Sequence, residues 1–140
     1  MSIRKSAHQH IYLIGMMGSG KSFWGKWIAG KNNLPFYDLD TVIEDSVHLS
    51  IQEIFALHGE DYFRVKEKET VALTALYAPS VIATGGGTPC FYNNMEVMNR
   101  QGITIWIDED IDTLTERLKK EKDKRPLIRE LSDDGLKQFL

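Results

Sequence analysis

The chain has 140 residues, 42% of them hydrophobic and 26% charged, with a formal net charge of −3 and one cysteine. This is the balance of a single soluble globular domain with enough apolar material for a core. It excludes a basic footprint for nucleic acid, a membrane helix (no apolar run approaches the required length of about 20 residues) and an internal disulfide framework. The opening residues 1–10 are polar and carry no secretory pattern, so the expected location is the cytoplasm. The expected state is a monomer with no nucleic-acid or membrane partner.

In chain order, the apolar run Ile11-Tyr12-Leu13-Ile14 reads as a buried strand. Gly15-Met16-Met17-Gly18-Ser19-Gly20-Lys21-Ser22 follows and fits the phosphate-binding loop G-x-x-x-x-G-K-[ST] at every fixed position. Its glycines let successive backbone N–H groups wrap a phosphate at a helix N-terminus, where anions are favoured. Lys21 can reach the β- and γ-phosphates, and the Ser22 hydroxyl can bind Mg²⁺. Lys21 opens a helix in which Trp24, Trp27 and Ile28 recur at helical spacing, with a plausible stop at Gly30-Lys31-Asn32-Asn33. Gly25 inside that helix costs about 1 kcal/mol relative to Ala, which close packing on a sheet would justify.

Leu34-Pro35-Phe36-Tyr37 is the second strand candidate, ending in Asp38-Leu39-Asp40, and residues 41–47 read as a short helix. Ser50-Ile51-Gln52-Glu53 is a capping-box signature opening a helix over residues 51–58 with Gly59 as its stop. A long helix is expected over residues 60–77, before Pro79. Residues 80–84 form a third strand running into Gly85-Gly86-Gly87, residues 93–100 a helix closed by Gly102, and Ile103-Thr104-Ile105-Trp106-Ile107 a fourth strand. Beyond it, Ile111, Leu114 and Leu118 mark one helix face, the charged residues 119–125 lead to Pro126, and a last helical segment starts near Ser132.

Strands alternating with helices imply an α/β fold, a parallel sheet flanked by helices on both faces. Ligands of such sheets sit outside the carboxyl ends of the strands. There the phosphate loop, the Asp38 and Asp40 pair and the Gly85, Gly86 and Gly87 triplet all fall. Each has a plainer reading. Aspartates ending a strand serve as helix caps, and glycines serve as turns, although consecutive glycines carry an entropy cost that close backbone approach to a ligand would justify. Arg64 fits a surface ladder with Glu60 and Lys68. His8, His10, His48 and His58 have no metal-ligand spacing. Cys90 reads as a small buried or half-buried residue.

In order and spacing, G-M-M-G-S-G-K-S, F-Y-D-L-D, G-E-D-Y-F-R-V-K-E, A-T-G-G-G and K-R-P-L resemble shikimate kinase over nearly the whole chain. The resemblance implies a P-loop kinase that transfers the γ-phosphoryl group of ATP to the 3-hydroxyl of shikimate, on the route to chorismate and the aromatic amino acids. It implies one kinase domain over residues 1–140, with a substrate-binding segment at about residues 39–67 and a lid at about residues 120–132. By matching position, Gly18, Ser19, Gly20, Lys21, Ser22 and Phe23 would surround the phosphates, with Ser22 on Mg²⁺ and Asp38 ordering its water. Asp40 would bind the substrate hydroxyls beside the attacking oxygen. Arg64, held by Glu67, would pair with the substrate carboxylate, and Gly85, Gly86 and Gly87 would offer backbone N–H groups. Arg125 would reach the phosphates from the lid, so that Lys21, Asp40 and Arg125 form the catalytic set.

Phe23 stands where the family has Thr or Ser. The family pattern also continues past Leu140 with a second substrate arginine, a fifth strand and an adenine-facing loop. The expectation is therefore that the native product extends further, and that a sheet ending at residues 103–107 leaves an apolar edge prone to aggregation. Two alternatives stay open: a gluconate-type kinase on the same scaffold, and a non-catalytic nucleotide-binding module.

Overall fold

The centre of the sheet is β1 (His10–Ile14), whose side chains alternate between two apolar clusters. Residues 9–108 are described by the computed structural model. They run β1, α1 (Lys21–Asn32), β2 (Phe36–Asp38), α2 (Leu39–Val47), α3 (Ile51–Leu73), a 3₁₀ turn Thr74–Leu76, β3 (Val81–Ala83), a second 3₁₀ turn Thr88–Cys90, α4 (Asn94–Gln101) and β4 (Gly102–Trp106). The four strands are parallel in the order β2-β3-β1-β4. Asp38, Ala83, Leu13 and Ile105 lie in one row. This register brings the segments after β1, β2 and β3 to one edge of the sheet.

One face of the sheet carries α1, packed through Ile28 and Ala29 on Ile11, Leu13 and Val81. The other face carries α2, α3 and α4, packed through Leu39, Ile43, Ile54, Phe63, Val71 and Met98 on Tyr12 and Ile82. The α/β layering expected from the sequence is therefore present, and β1 is covered on both sides as its continuous apolar run requires.

Several boundaries moved for identifiable reasons. Leu34 belongs to the end of α1, not to β2: its N–H caps the Ala29 carbonyl, and β2 begins only after Pro35. Helix α1 passes Gly30 and ends when Asn33 takes the left-handed conformation at φ 55°. In α3 the capping box is formed in both directions, Glu53 N–H to Ser50 Oγ at 3.1 Å and Ser50 N–H to Glu53 Oε1 at 2.9 Å. Gly59 breaks the helical geometry with φ 84° and ψ 173°, as its place in the sequence predicts. The long helix stops at Leu73, short of residue 77, because Thr74 turns its hydroxyl back onto the Val71 carbonyl and the chain tightens into a 3₁₀ turn.

Trp24, Trp27 and Ile28 lie on one helix, as their spacing predicts, but of the three only Ile28 is buried. The buried face of α1 is Gly25, Ile28 and Ala29, while the two indoles stay 44% and 38% exposed and meet edge to face. Small residues face the sheet because α1 lies so close to it. A Cβ on Gly25 would overlap the Phe36 ring and lie 3.1 Å from Leu13 Cδ1. Among the described residues β4 is an outer strand, with Trp106 66% exposed. Gly25→Ala should lower stability by up to about 2 kcal/mol, the overpacking cost of about 1–3 kcal/mol less the helix-propensity gain of about 1 kcal/mol. The urea midpoint measures it.

Candidate active site

The loop between β1 and α1 turns through Gly18 at φ 79° and Gly20 at φ 94°, a region that side chains with a Cβ rarely enter. Gly20 occupies the N-cap of α1 and supplies no side-chain cap, so the first-turn N–H groups have no capping side chain. No acidic residue lies in that first turn, and the helix end presents partial positive charge. Lys21 Nζ folds back to donate to the Gly15 and Met16 carbonyls at 2.6 and 3.0 Å, which holds the ammonium over the loop. Ser19 Oγ is buried without a hydrogen-bond partner among the described residues. Such a cradle suits a phosphate. Phe23 lies at its rim, 67% exposed and edge to face with Trp24.

Strand β2 delivers the two aspartates. Asp38 is the N-cap of α2 and accepts the N–H groups of Asp40 and Thr41 on Oδ1, while its Oδ2 accepts the Ser22 hydroxyl at 3.4 Å. The helix-cap role read from the sequence is present, and the second oxygen of the same carboxylate faces Ser22. Asp40, in the first turn of α2, has a buried Oδ1 with no partner among the described residues. Burial pushes its carboxyl from the ordinary 3.8 up to about 7, the negative charges of Asp38, Glu67 and Glu44 act in the same direction, and Lys21 acts against them.

Arg64 and Glu67 lie one turn apart on α3, so i and i+3 spacing puts them side by side. Of the ladder read from the sequence the Glu60 pair forms, but with its arginine buried and without Lys68. Arg64 is buried, its Nη1 donates to Glu67 Oε1 at 2.9 Å and its Nε to Glu60 Oε2 at 3.3 Å, whereas Lys68 lies over the Tyr92 ring. Glu67 in turn accepts the Thr88 hydroxyl on Oε2 at 2.7 Å.

The three glycines after β3 stitch these parts together. A Cβ on Gly85 would stand 3.2 Å from Asp40 Oδ1, one on Gly86 would stand 3.1 Å from Met17 Cγ, and one on Gly87 would stand 2.9 Å from Arg64 Nη2. Side chains on the triplet would have to displace these groups, most of all at Gly87, where the Cβ would fall under 3.0 Å from Arg64. Cys90, expected to be at least half-buried, is exposed at the end of the second 3₁₀ turn. Of the histidines, His10 is buried and hydrogen-bonded to Thr74 and Ser80, His48 ends α2, and His58 stacks on Tyr62. No group able to hold a metal through three or more His, Cys, Asp or Glu side chains occurs among the described residues. His8, Arg125 and the lid at residues 120–132 lie outside them.

The shikimate kinase family model matches residues 17–139. The chain belongs to the shikimate kinase family. It is 44% identical over 130 residues to the shikimate kinase of Bacteroides thetaiotaomicron, covering 93% of this chain and 74% of that one. The crystal structure of shikimate kinase from that organism superposes with a TM-score of 0.86 at 44% identity, over 94% of this chain and 74% of the other. Shikimate kinase from Acinetobacter baumannii, solved in complex with shikimate, also reaches a TM-score of 0.86, at 29% identity over 94% of this chain and 73% of its own. Membership in the shikimate kinase family gives the P-loop kinase fold, and no helix of the described residues is long and apolar enough to cross a membrane.

Thr88, Phe91 and Asn94 are the residues that sequence reasoning passed over. The only signal was that Thr88 directly follows the glycines. Asp40 carries a testable consequence. Between pH 3.8 and about 7 the folded chain holds a proton on Asp40 that the unfolded chain has released, so this group's contribution to stability falls as pH rises through that window. Asp40→Asn should therefore melt higher than the unsubstituted chain at pH 8, and the gap should narrow by pH 5, as thermal melts at the two pH values will show.

Proposed function

We propose that this shikimate kinase, which phosphorylates shikimate with ATP, divides the reaction among the three parts joined by the glycine triplet. What supports this reading is how closely the triplet runs past those parts: a Cβ on Gly85, Gly86 or Gly87 would stand 3.2 Å from Asp40 Oδ1, 3.1 Å from Met17 Cγ and 2.9 Å from Arg64 Nη2. Gly18, Ser19, Gly20, Lys21 and Ser22 hold the phosphates of ATP, with Phe23 at the rim and Lys21 offsetting charge on the transferring group. Arg64 receives the shikimate carboxylate on its Nη2 side, since Glu60 and Glu67 engage Nε and Nη1. Gly85, Gly86 and Gly87 line the substrate side with backbone.

Asp40 stands between donor and acceptor and accepts the proton of the 3-hydroxyl as its oxygen attacks the γ-phosphorus and ADP departs. A carboxylate raised to about 7 is matched to that task near neutral pH. Arg125 is assigned to the phosphates from the lid on the family resemblance.

The site chemistry suits Mg²⁺. A hydroxyl and a carboxylate 3.4 Å apart beside a phosphate loop are the sparse protein donors used for an ion that keeps several waters. Ser22 would hold it directly and Asp38 through water, and the bound ion would neutralise phosphate charge. A monomeric, cytoplasmic enzyme with no nucleic-acid or membrane partner completes the reading. A gluconate-type kinase and a non-catalytic nucleotide module are not favoured, since the similar proteins at 42–44% identity are shikimate kinases.

ADP release measured with shikimate and with gluconate tests the assignment, and turnover should require shikimate. Lys21→Ala should lower turnover by about 100-fold or more while leaving the far-UV spectrum intact. kcat/KM for shikimate should climb with pH as Asp40 ionises and level off above about 7. Asp40→Asn should remove most of the turnover together with that profile, with ATP affinity little changed.

A further inference from the structure

We propose that Thr88 and Phe91, on the turn that follows the glycine triplet, are positioning residues that set the Arg64 guanidinium for the substrate carboxylate. The inference rests on the reading of Arg64 given above. An arginine on a helix has many rotamers, and a carboxylate fork works only when the guanidinium plane is fixed before the substrate arrives.

Three direct contacts and one indirect support fix it here. In its plane, Nε and Nη1 donate to Glu60 and Glu67. Across its face, the Arg64 Cζ lies 3.9 Å from the centroid of the Phe91 ring, well inside cation–π range. Behind it, Glu67 is itself held, because the buried Thr88 hydroxyl donates to Oε2 at 2.7 Å. Glu67 cannot rotate away from Arg64 without abandoning Thr88.

The turn carrying both residues is braced. Thr88 N–H donates to the Gly85 carbonyl at 3.2 Å and Cys90 N–H to the Gly87 carbonyl at 3.0 Å. Asn94 Nδ2 holds the Thr88 carbonyl at 3.0 Å from the start of α4. Helix α4 and the glycine turn thus bear on a side chain of α3 that no sequence spacing connects to them.

The test is steady-state kinetics with shikimate and ATP varied separately. Thr88→Val keeps the shape and removes the hydroxyl, Thr88→Ser restores it, and Phe91→Leu removes the ring. Thr88→Val and Phe91→Leu should each raise the KM for shikimate roughly fivefold or more, about the worth of one hydrogen bond. kcat should fall by less than KM rises, the KM for ATP should hold, and Thr88→Ser should recover most of the loss. With Arg64→Lys in place, Thr88→Val should add little further, as expected of residues acting through one another.

Arg64→Lys alone separates the two readings. If it leaves the shikimate KM unchanged, the carboxylate assignment of Arg64 is wrong, and this proposal falls with it. If Arg64→Lys raises that KM while Thr88→Val and Phe91→Leu do not, the positioning role alone is refuted. Equal losses in both KM values and in kcat, with a lowered melting temperature, would make Thr88 merely structural and also overturn it. Should Thr88→Val fail to fold, the half-buried Phe91 still decides the matter through Phe91→Leu.

Discussion

A carboxylate taken out of water is costly unless its oxygens find donors, and Glu67, whose side chain has no solvent exposure, finds them on two different elements. Arg64 serves Oε1 from the same helix, and Thr88 serves Oε2 from the turn after β3. This buried exchange ties α3 to the turn after the glycine triplet and orients the Arg64 guanidinium. Removing Arg64 would strand a charge in a low-dielectric interior and removing the Thr88 hydroxyl would leave one carboxylate oxygen without its donor, so the pairing specifies geometry more than it adds stability. The spacing of the glycines follows from it, since side chains at residues 85 and 87 would press on Asp40, Thr88 and Arg64.

Asp40 shows the opposite choice. Its Oδ1 is buried with no partner among the described residues, and three carboxylates raise its proton affinity. A group kept this way lowers stability at neutral pH. The role proposed for Asp40 accounts for this cost, since an under-satisfied carboxylate is a better acceptor for a substrate hydroxyl than one already bonded. Asp38, two residues earlier, spends one oxygen on capping α2 and turns the other to Ser22. The two aspartates differ in role because the strand ends between them and the helix begins.

The phosphate loop depends on the packing beneath it. Gly25, Ile28 and Ala29 let α1 lie close on β1, β2 and β3, which sets the helix N-terminus directly over the end of β1. Phe23, Trp24 and Trp27 are left outside, joined edge to face along the helix surface. Their size decides this as much as their position, because indoles do not fit where a single Cβ on Gly25 would already overlap the Phe36 ring.

What was legible in the chain by itself was what operates over a few residues. The loop motif from Gly15 to Ser22, the Ser50 and Glu53 capping box, the break at Gly59 and the aspartates ending β2 all act through neighbours within one turn, so residue type and spacing reveal them. The alternation of strands and helices likewise implied the parallel sheet and the edge on which a site would form. Tertiary structure alone decided the strand order, the exposure of Trp24, Trp27 and Cys90, and the burial of Arg64 among Glu60, Glu67 and Phe91. Thr88 meets Glu67 across 21 residues of chain. No periodicity spans that distance, because the contact exists only once α3 and the turn after β3 have been brought together by the core between them.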